Sequence, residues 1–199
     1  MYDDEFELTF DLSDADEASR APAPEQEPVQ EAAPEPAAET EPQVEAVPEP
    51  AVPAANGRCV LISGGDRGIG AAAARAFWQA GYRVAVLYHT HAEAAAALEK
   101  ALPGLLAVQC DVASRASCEV AFHTVEQAVG HVDVLVSNAG IAQQKLFTDI
   151  TPEEWQRMLD VNLTGAFNLC QLALPGMIRR KAGRILTVSS MWGQTGGSC

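Results

Sequence analysis

Short apolar runs alternate with longer helix-favouring stretches from residue 57 onward. The first run, RCVLIS at 58–63, is apolar at nearly every position, which is typical of a strand buried on both faces of a sheet. The stretch that follows, 68–80, contains a string of alanines and then Phe77 and Trp78, a composition that favours helix. The pattern predicts strands at 58–63, 83–88, 105–110, 132–137 and 184–189, and helices at 68–80, 92–102, 114–129, 152–161 and 164–180.

The order of these elements predicts the fold class. Strands that alternate with helical stretches of about ten to twenty residues are joined by right-handed crossovers, and such crossovers make neighbouring strands parallel. Helices then cover both faces of the sheet. Residues 57–199 are therefore expected to form an α/β domain built on a doubly wound parallel sheet of about five strands, incomplete at its carboxyl end.

Composition divides the chain at about residue 56. Residues 1–56 contain sixteen acidic residues, one basic residue and nine of the twelve prolines, whereas 57–199 contain eleven acidic and twelve basic residues. The formal net charge of −14 therefore belongs to the first segment. Frequent proline and few large apolar side chains predict that 1–56 is a disordered, extended acidic tail. Residues 6–12 alternate apolar and polar positions, so a short docking peptide and a disordered end both remain open there.

Charge and hydropathy argue against several classes of protein. The negative sign of the net charge does not suit a nucleic-acid binder. No run approaches the roughly 20 apolar residues that a membrane-spanning helix needs. The first ten residues, MYDDEFELTF, have neither the basic nor the apolar region of a secretory signal. We therefore expect a cytoplasmic protein with no nucleic-acid partner and no membrane span.

A glycine-rich loop, SGGDRGIG at 63–70, joins the first predicted strand to the first predicted helix. Glycines let the backbone turn sharply and approach a ligand, and the free N–H groups of the helix start point at an anion. A doubly wound sheet binds the pyrophosphate of a dinucleotide at this position. A loop that only closes the strand-to-helix connection is the alternative, but the first place in the sheet favours the dinucleotide.

Further motifs stand at the ends of the later strands. They are Asp111-Val112, SNAG at 137–140, VNLTG at 161–165 and GRILTVSS at 183–190. Together with the G-x-x-x-G-x-G spacing of the loop, they make 57–199 resemble the short-chain dehydrogenase/reductase family, and within it the 3-oxoacyl-[acyl-carrier-protein] reductases. The resemblance implies a Rossmann-type sheet and a reductase that transfers hydride from a nicotinamide cofactor to a carbonyl group. We expect the strand order 3-2-1-4-5.

The resemblance implies three groups of cofactor-binding residues. The glycine loop lines the pyrophosphate, a carboxylate and a valine bind the adenine, and a tripeptide supports the adenosine ribose. In that order the groups are Gly64, Gly68, Ile69 and Gly70; Asp111 and Val112; and Asn138, Ala139 and Gly140. From the residues alone, a helix cap or turn remains open for Asp111 and a strand-end turn for Asn138.

The charge after the second predicted strand bears on the choice of cofactor. NAD-selective sites place a carboxylate there, where it binds the ribose hydroxyls and repels a 2′-phosphate. This sequence has LYHT at 87–90, without an acid. The guanidinium group of Arg67 in the glycine loop can donate two parallel, charge-assisted hydrogen bonds to the phosphate. NADP(H) is therefore the expected cofactor and NAD(H) the alternative. Arg67 has two other interpretations, as a cover for the adenine and as a partner of a surface acid.

The resemblance also implies two residues of the reaction centre. Ser190 matches the serine that holds the substrate carbonyl, and Asn162 matches an asparagine that completes a proton relay at a helix kink. Without the family, Ser190 is a strand-end turn residue and Asn162 a cap for the helix 164–180. These two are the candidate catalytic residues of this chain.

The family's Tyr-x-x-x-Lys pair, the proton donor and its activator, is not found in the 199 residues. By resemblance its tyrosine would fall a few positions after Cys199. We therefore expect a copy of a reductase shortened at its carboxyl end, which binds part of the cofactor and does not turn over. The alternative is a non-catalytic nucleotide-binding or scaffold protein with an acidic interaction tail.

The remaining chemistry-bearing residues predict no metal site. His89 and His91 lack a convergent acid or cysteine motif, and the five cysteines have no CxxC spacing. Cys59, Cys110 and Cys170 fall in apolar segments, which is typical of buried thiols. The expected partners are a small carbonyl substrate, with an acyl-carrier-protein thioester as one form, and further copies of the chain in a homotetramer or homodimer.

Overall fold

The computed structural model describes residues 53–191 and residue 193. The docking interpretation for 6–12, nearly all of the acidic tail and Cys199 lie outside the described residues. Within the described part of the chain, no helix is both long and apolar enough to cross a bilayer.

Five parallel strands form one sheet in the order β3-β2-β1-β4-β5, which confirms the predicted doubly wound class and strand order. Three strands, the first, third and fifth, are shorter than predicted by one or two residues. The strands are β1 Cys59–Ser63, β2 Arg83–Tyr88, β3 Leu106–Gln109, β4 Val132–Ser137 and β5 Arg184–Thr187.

The helices lie within about two residues of their predicted bounds. The α-helices are α1 Gly68–Gln79, α2 Ala92–Ala101, α3 Arg115–Val129, α4 Pro152–Leu159 and α5 Gly165–Arg180. The predicted gap between the last two is wrong, because one turn of π-helix, Asp160–Thr164, makes the path from α4 to α5 continuous. A single turn of 3₁₀ helix, Phe147–Asp149, precedes α4.

Side chains of the central strands alternate between two apolar cores. Leu61 of β1 packs in the core beneath α3 and α5, while Val60 and Ile62 pack in the core beneath α1 and α2. All three are fully buried. This double burial explains why β1 is an unbroken apolar run rather than an alternating one.

The register of the sheet places all five strand ends at one edge. Ser63 at the end of β1 lies opposite Leu87 in β2, and Ser137 at the end of β4 lies opposite Thr187 in β5. Since the strands are parallel, the loops that follow β1 to β5 meet at this carboxyl edge, where doubly wound proteins bind their ligands.

Two valines of α3 provide a matched test of the core. Val125 is fully buried against the sheet, whereas Val120 is 70% exposed. We expect Val125→Ala to lower the free energy of unfolding by about 2 kcal/mol, because it removes buried methyl groups and leaves a cavity. Val120→Ala on the same helix is expected to change it by less than about 0.5 kcal/mol. Urea unfolding measures both, and equal losses would contradict this packing.

Candidate cofactor site

A cleft of about 390 Å³ lies at the carboxyl edge of the sheet, formed by the loops after β1 to β4 and by residues of α4 and the π-turn. Its volume falls in the usual range for small-molecule sites. Nine of the ten predicted cofactor residues line it, and Gly70 does not. These nine are Gly64, Arg67, Gly68, Ile69, Asp111, Val112, Asn138, Ala139 and Gly140.

Two glycines of the loop are required by close backbone contacts. Gly64 has a left-handed φ of +61°, and a Cβ there would lie 3.0 Å from the Cα of Ala139. At Gly70 a Cβ would overlap the carbonyl oxygen of Gly64 and lie 2.7 Å from the Nδ2 of Asn138. Gly70 is therefore a packing residue that lets α1 approach the loop, and it contributes to the cleft only by shaping it.

The end of β4 is joined to the loop after β1 by hydrogen bonds. The Asn138 Nδ2 donates to the carbonyl oxygens of Ser63 (2.9 Å) and Gly64 (3.0 Å). The Ser63 Oγ accepts from the backbone N–H groups of Asn138 and Ala139, both at 3.0 Å. The strand-end-turn interpretation of Asn138 is therefore wrong, because its side chain satisfies the backbone of another strand.

The first turn of α1 is open towards an anion. Arg67 occupies its N-cap position, but no side chain caps the helix and its first turn contains no acidic residue. The first N–H groups of such a helix have no acceptor within the helix and carry its partial positive charge. The Arg67 side chain is exposed, lines the cleft and makes no ion pair with any described residue.

Asp111 stabilises a turn and also lines the cleft. Its Oδ1 accepts from the backbone N–H of Ala113 at 3.1 Å, and its Oδ2 lies 3.6 Å from the Nη1 of Arg157. Ser114, not Asp111, caps α3, because its Oγ accepts from the N–H of Ser117. Of the two structural interpretations, the turn is confirmed and the helix cap is wrong.

Val112 is buried beside Asp111 and packs against α5. The side-chain amide of Asn168 donates to the Val112 carbonyl oxygen at 3.0 Å. A Cβ at Gly165 would lie 2.8 Å from the Val112 side chain, so the absence of a side chain there lets α5 approach this wall of the cleft.

Asn162 lies in the π-turn between α4 and α5 and binds the chain after β4. Its Oδ1 accepts from the Ile141 N–H at 2.8 Å, and its Nδ2 donates to the Ile141 carbonyl oxygen at 3.0 Å. The interpretation of Asn162 as a cap of a separate helix is therefore wrong, since no helix begins there. Ser190 is exposed and follows β5 at the same carboxyl edge. Neither residue is among those that line the cleft.

Of the three thiols predicted to be buried, Cys59 and Cys110 are buried, whereas Cys170 is only half-buried. Cys110 and Cys118 lie with their Sγ atoms 3.9 Å apart, and Cys110 lines the cleft. The hydrogen bond with Cys118 lowers the pKa of Cys110, whereas the same contact and burial raise the pKa of Cys118. Burial raises the pKa of Cys59 to about 12. Among residues 53–191 and 193, no cluster of three or more His, Cys, Asp or Glu side chains has the arrangement of a metal site.

The family model of the short chain dehydrogenases matches residues 58–199, which include every strand and helix described above. The chain belongs to the short-chain dehydrogenase family. The resemblance found in the sequence is thus confirmed.

Individual relatives are reductases of 3-oxoacyl thioesters by name. The acetoacetyl-CoA reductase of Shinella zoogloeoides is 42% identical over 139 residues, which are 70% of this chain and 57% of that protein. The 3-oxoacyl-[acyl-carrier-protein] reductase MabA of Mycobacterium avium is 40% identical over 144 residues, 71% of this chain and 53% of that protein. The acetoacetyl-CoA reductase of Paracoccus denitrificans is 40% identical over 137 residues, 69% of this chain and 56% of that protein. The chain spans just over half the length of these relatives.

Three residues at or beside the cleft were not predicted from the local sequence. Ser63 looks like an ordinary loop residue, although its fully buried hydroxyl organises the end of β4. Arg157 is far from Asp111 along the chain, and nothing in the local pattern links the two. The sequence suggests no role for Asp66, yet its side chain is buried beside His91. An acid within an otherwise glycine-rich loop is the one available signal.

The hydrogen bonds donated by the Asn138 side chain are testable by an isosteric substitution. We expect Asn138→Ala to lower the free energy of unfolding by about 2 kcal/mol, because two carbonyl groups lose their donor. Asn138→Asp keeps the shape but turns acceptor oxygens towards those carbonyls, so its loss should be at least as large. Urea unfolding compares the two variants. An Asp variant as stable as the native chain would show that the Nδ2 hydrogen bonds contribute nothing.

Proposed function

We propose that the chain binds NADP(H) in the cleft at the carboxyl edge and forms the cofactor-binding part of a carbonyl reductase. The observation that carries the proposal is the cleft itself, which nine residues of the family's cofactor pattern line together. They come from separate loops, so their convergence depends on the fold and not on one local motif.

The residues present fit a dinucleotide. The glycine loop and the uncapped start of α1 supply a close backbone approach and positive partial charge for the pyrophosphate. Asp111 retains acceptor capacity for the adenine amino group beyond its bond to Ala113, and Val112 supplies an apolar surface for the ring. Asn138, Ala139 and Gly140 line the part of the cleft that would receive the adenosine ribose.

Arg67 supports the choice of NADP(H) over NAD(H). It lies at the cleft with no described anionic partner, and the loop after β2 has no acid that would repel a phosphate. A guanidinium group offers two parallel N–H donors to a phosphate.

The cofactor supplies the hydride, and the chain supplies the groups that hold the carbonyl. Ser190 follows β5 at the carboxyl edge and would donate its hydroxyl to the substrate oxygen, which gains negative charge during reduction. Asn162 fixes the backbone after β4 through both of its amide atoms, and its remaining hydrogen-bonding capacity would hold a water for a proton relay.

The relatives support a 3-oxoacyl thioester as the substrate, since their names specify acetoacetyl-CoA and 3-oxoacyl-[acyl-carrier-protein]. The surface of the π-turn and α5 supports a homotetramer or homodimer. Four large apolar side chains there are between 42% and 68% exposed, which is typical of an association surface. They are Leu163, Phe167, Leu174 and Ile178.

Two arginines of the α1 region provide a test of cofactor choice. We expect Arg67→Ala to weaken NADPH binding roughly ten- to a hundred-fold and NADH binding by less than about three-fold, because only NADPH carries the 2′-phosphate. Arg75→Ala, an exposed position further along α1, should leave both affinities unchanged. Fluorescence titration of the reduced nucleotides gives the dissociation constants. Equal losses of NADPH and NADH affinity would count against NADP(H) selectivity.

A second test separates binding from turnover. The 199 residues contain no tyrosine followed four positions later by lysine. We therefore expect this chain to bind NADPH without oxidising it when acetoacetyl-CoA is added. The acetoacetyl-CoA reductase of Paracoccus denitrificans serves as the positive control. NADPH oxidation by the chain would show that another group supplies the proton, and failure to bind either nucleotide would favour a scaffold role.

A further inference from the structure

Two cysteines are in contact where the cleft meets α3. Cys110 directly follows β3, Cys118 lies at the start of α3, and their Sγ atoms are 3.9 Å apart. A disulfide holds its sulfurs about 2.05 Å apart, so a movement of about 2 Å would join this pair. The other cysteines of residues 53–191, Cys59 and Cys170, make no such contact with a second thiol.

The two thiols differ in their access to the cleft. Cys110 is buried but lines the cleft, whereas Cys118 is fully buried and does not line it. A small reagent that enters the cleft therefore meets Cys110 first.

The two thiols also differ in reactivity. The hydrogen bond with Cys118, and a further one with Ser117, lower the pKa of Cys110, which favours the nucleophilic thiolate. The same contact, together with burial, raises the pKa of Cys118, so this partner stays protonated. Cys110 is therefore suited to attack an oxidant, and Cys118 to react with the oxidised Cys110.

The backbone next to this pair forms the proposed adenine wall. The Cys118 Sγ donates to the Val112 carbonyl oxygen at 3.4 Å, and the Ser117 Oγ accepts from the Asp111 N–H at 3.0 Å. A disulfide would remove the S–H donor of Cys118 and draw the end of β3 towards α3. Since Asp111 and Val112 directly follow Cys110, this movement would displace both of them.

We propose that Cys110 and Cys118 form a redox-active dithiol, and that hydrogen peroxide oxidises it to a disulfide that weakens nucleotide binding. The inference rests on the proposed function, because its consequence is measured on NADPH and NADH. It adds control of the nucleotide site by an oxidant.

One peroxide molecule oxidises one pair of thiols. The Cys110 thiolate attacks a peroxide oxygen, the O–O bond breaks, and the hydroxide that leaves takes up a proton to become water. The Cys118 thiol then attacks the sulfur of the Cys110 sulfenic acid. The S–O bond breaks, the disulfide forms, and the hydroxyl leaves with the thiol proton as a second water. The pair loses two electrons, which reduce the peroxide, and a dithiol reductant restores both thiols by exchange.

Peptide mapping by mass spectrometry tests for the disulfide in the full chain. Cys199, which lies outside the described residues, is changed to serine in every sample so that its thiol does not compete. Hydrogen peroxide should link Cys110 to Cys118 with loss of both thiol hydrogens, and dithiothreitol should reverse the link. In Cys118→Ser, oxidation of Cys110 should stop at the sulfenic acid, which dimedone traps. Absence of the link, or a dimedone adduct on Cys118 in Cys110→Ser, would overturn the assignment.

Fluorescence titration measures the consequence for the nucleotide site. We expect the linked chain to bind NADPH and NADH at least about five-fold more weakly than the reduced chain, because both nucleotides carry the adenine. Dithiothreitol should restore both affinities. Peroxide should leave the affinity of Cys110→Ser within about two-fold of its own value before treatment, because this variant cannot form the link.

Cys170→Ser is the matched control. Cys170 is half-buried, burial raises the pKa of its thiol, and it does not line the cleft. Peroxide should therefore weaken nucleotide binding by Cys170→Ser as much as by the native chain. Loss of the peroxide effect in this variant would place the sensitive thiol at Cys170 and contradict the inference.

The proposed function and this inference fail on different results. If the reduced chain binds neither nucleotide, the proposed function fails, and control of the nucleotide site fails with it. If the reduced chain binds nucleotide and the linked chain binds it equally well, only this inference is wrong.

Discussion

The cleft depends on the hydrogen-bonded joint between the end of β4 and the loop after β1. Two carbonyl groups, of Ser63 and Gly64, point at one amide nitrogen of Asn138, and the Ser63 hydroxyl receives two N–H groups in return. These groups lie at the ends of β1 and β4, at the point where the sheet order reverses. Unless they satisfied one another, the place where a ligand meets the sheet would contain unpaired buried polar groups.

The same joint explains why α1 begins where it does. Gly70 packs against the Gly64 carbonyl and the Asn138 amide, so the start of the helix lies directly against these hydrogen-bonded groups. Two acidic side chains at the cleft each lie beside a basic or imidazole group. Asp111 faces Arg157 and Asp66 faces His91, while Arg67 has no described partner. An anion entering the cleft therefore meets one uncompensated cation and an open helix terminus.

The local sequence patterns predicted the structural features that depend on residues close together along the chain. Continuous apolar runs predicted the buried strands, because a strand covered on both faces cannot alternate. The predicted break between two helices at 162–163 was wrong, since a π-turn inserts an extra residue without ending the helical path, and apolar periodicity alone does not separate the two cases. That turn places Asn162 against Ile141, 21 residues away, and gives it a role that capping could not explain.

The sequence by itself determined the order of strands and helices, the buried character of the sheet and, through its motifs, the family. These follow from periodicity and from glycine at positions where the backbone must turn or pack closely. Only the tertiary structure decided that the buried hydroxyl of Ser63 organises another strand, that Arg157 faces Asp111 and that Asp66 faces His91. The physical reason is that these contacts join residues of separate elements, and only parallel pairing of the strands brings the ends of those elements to a single edge.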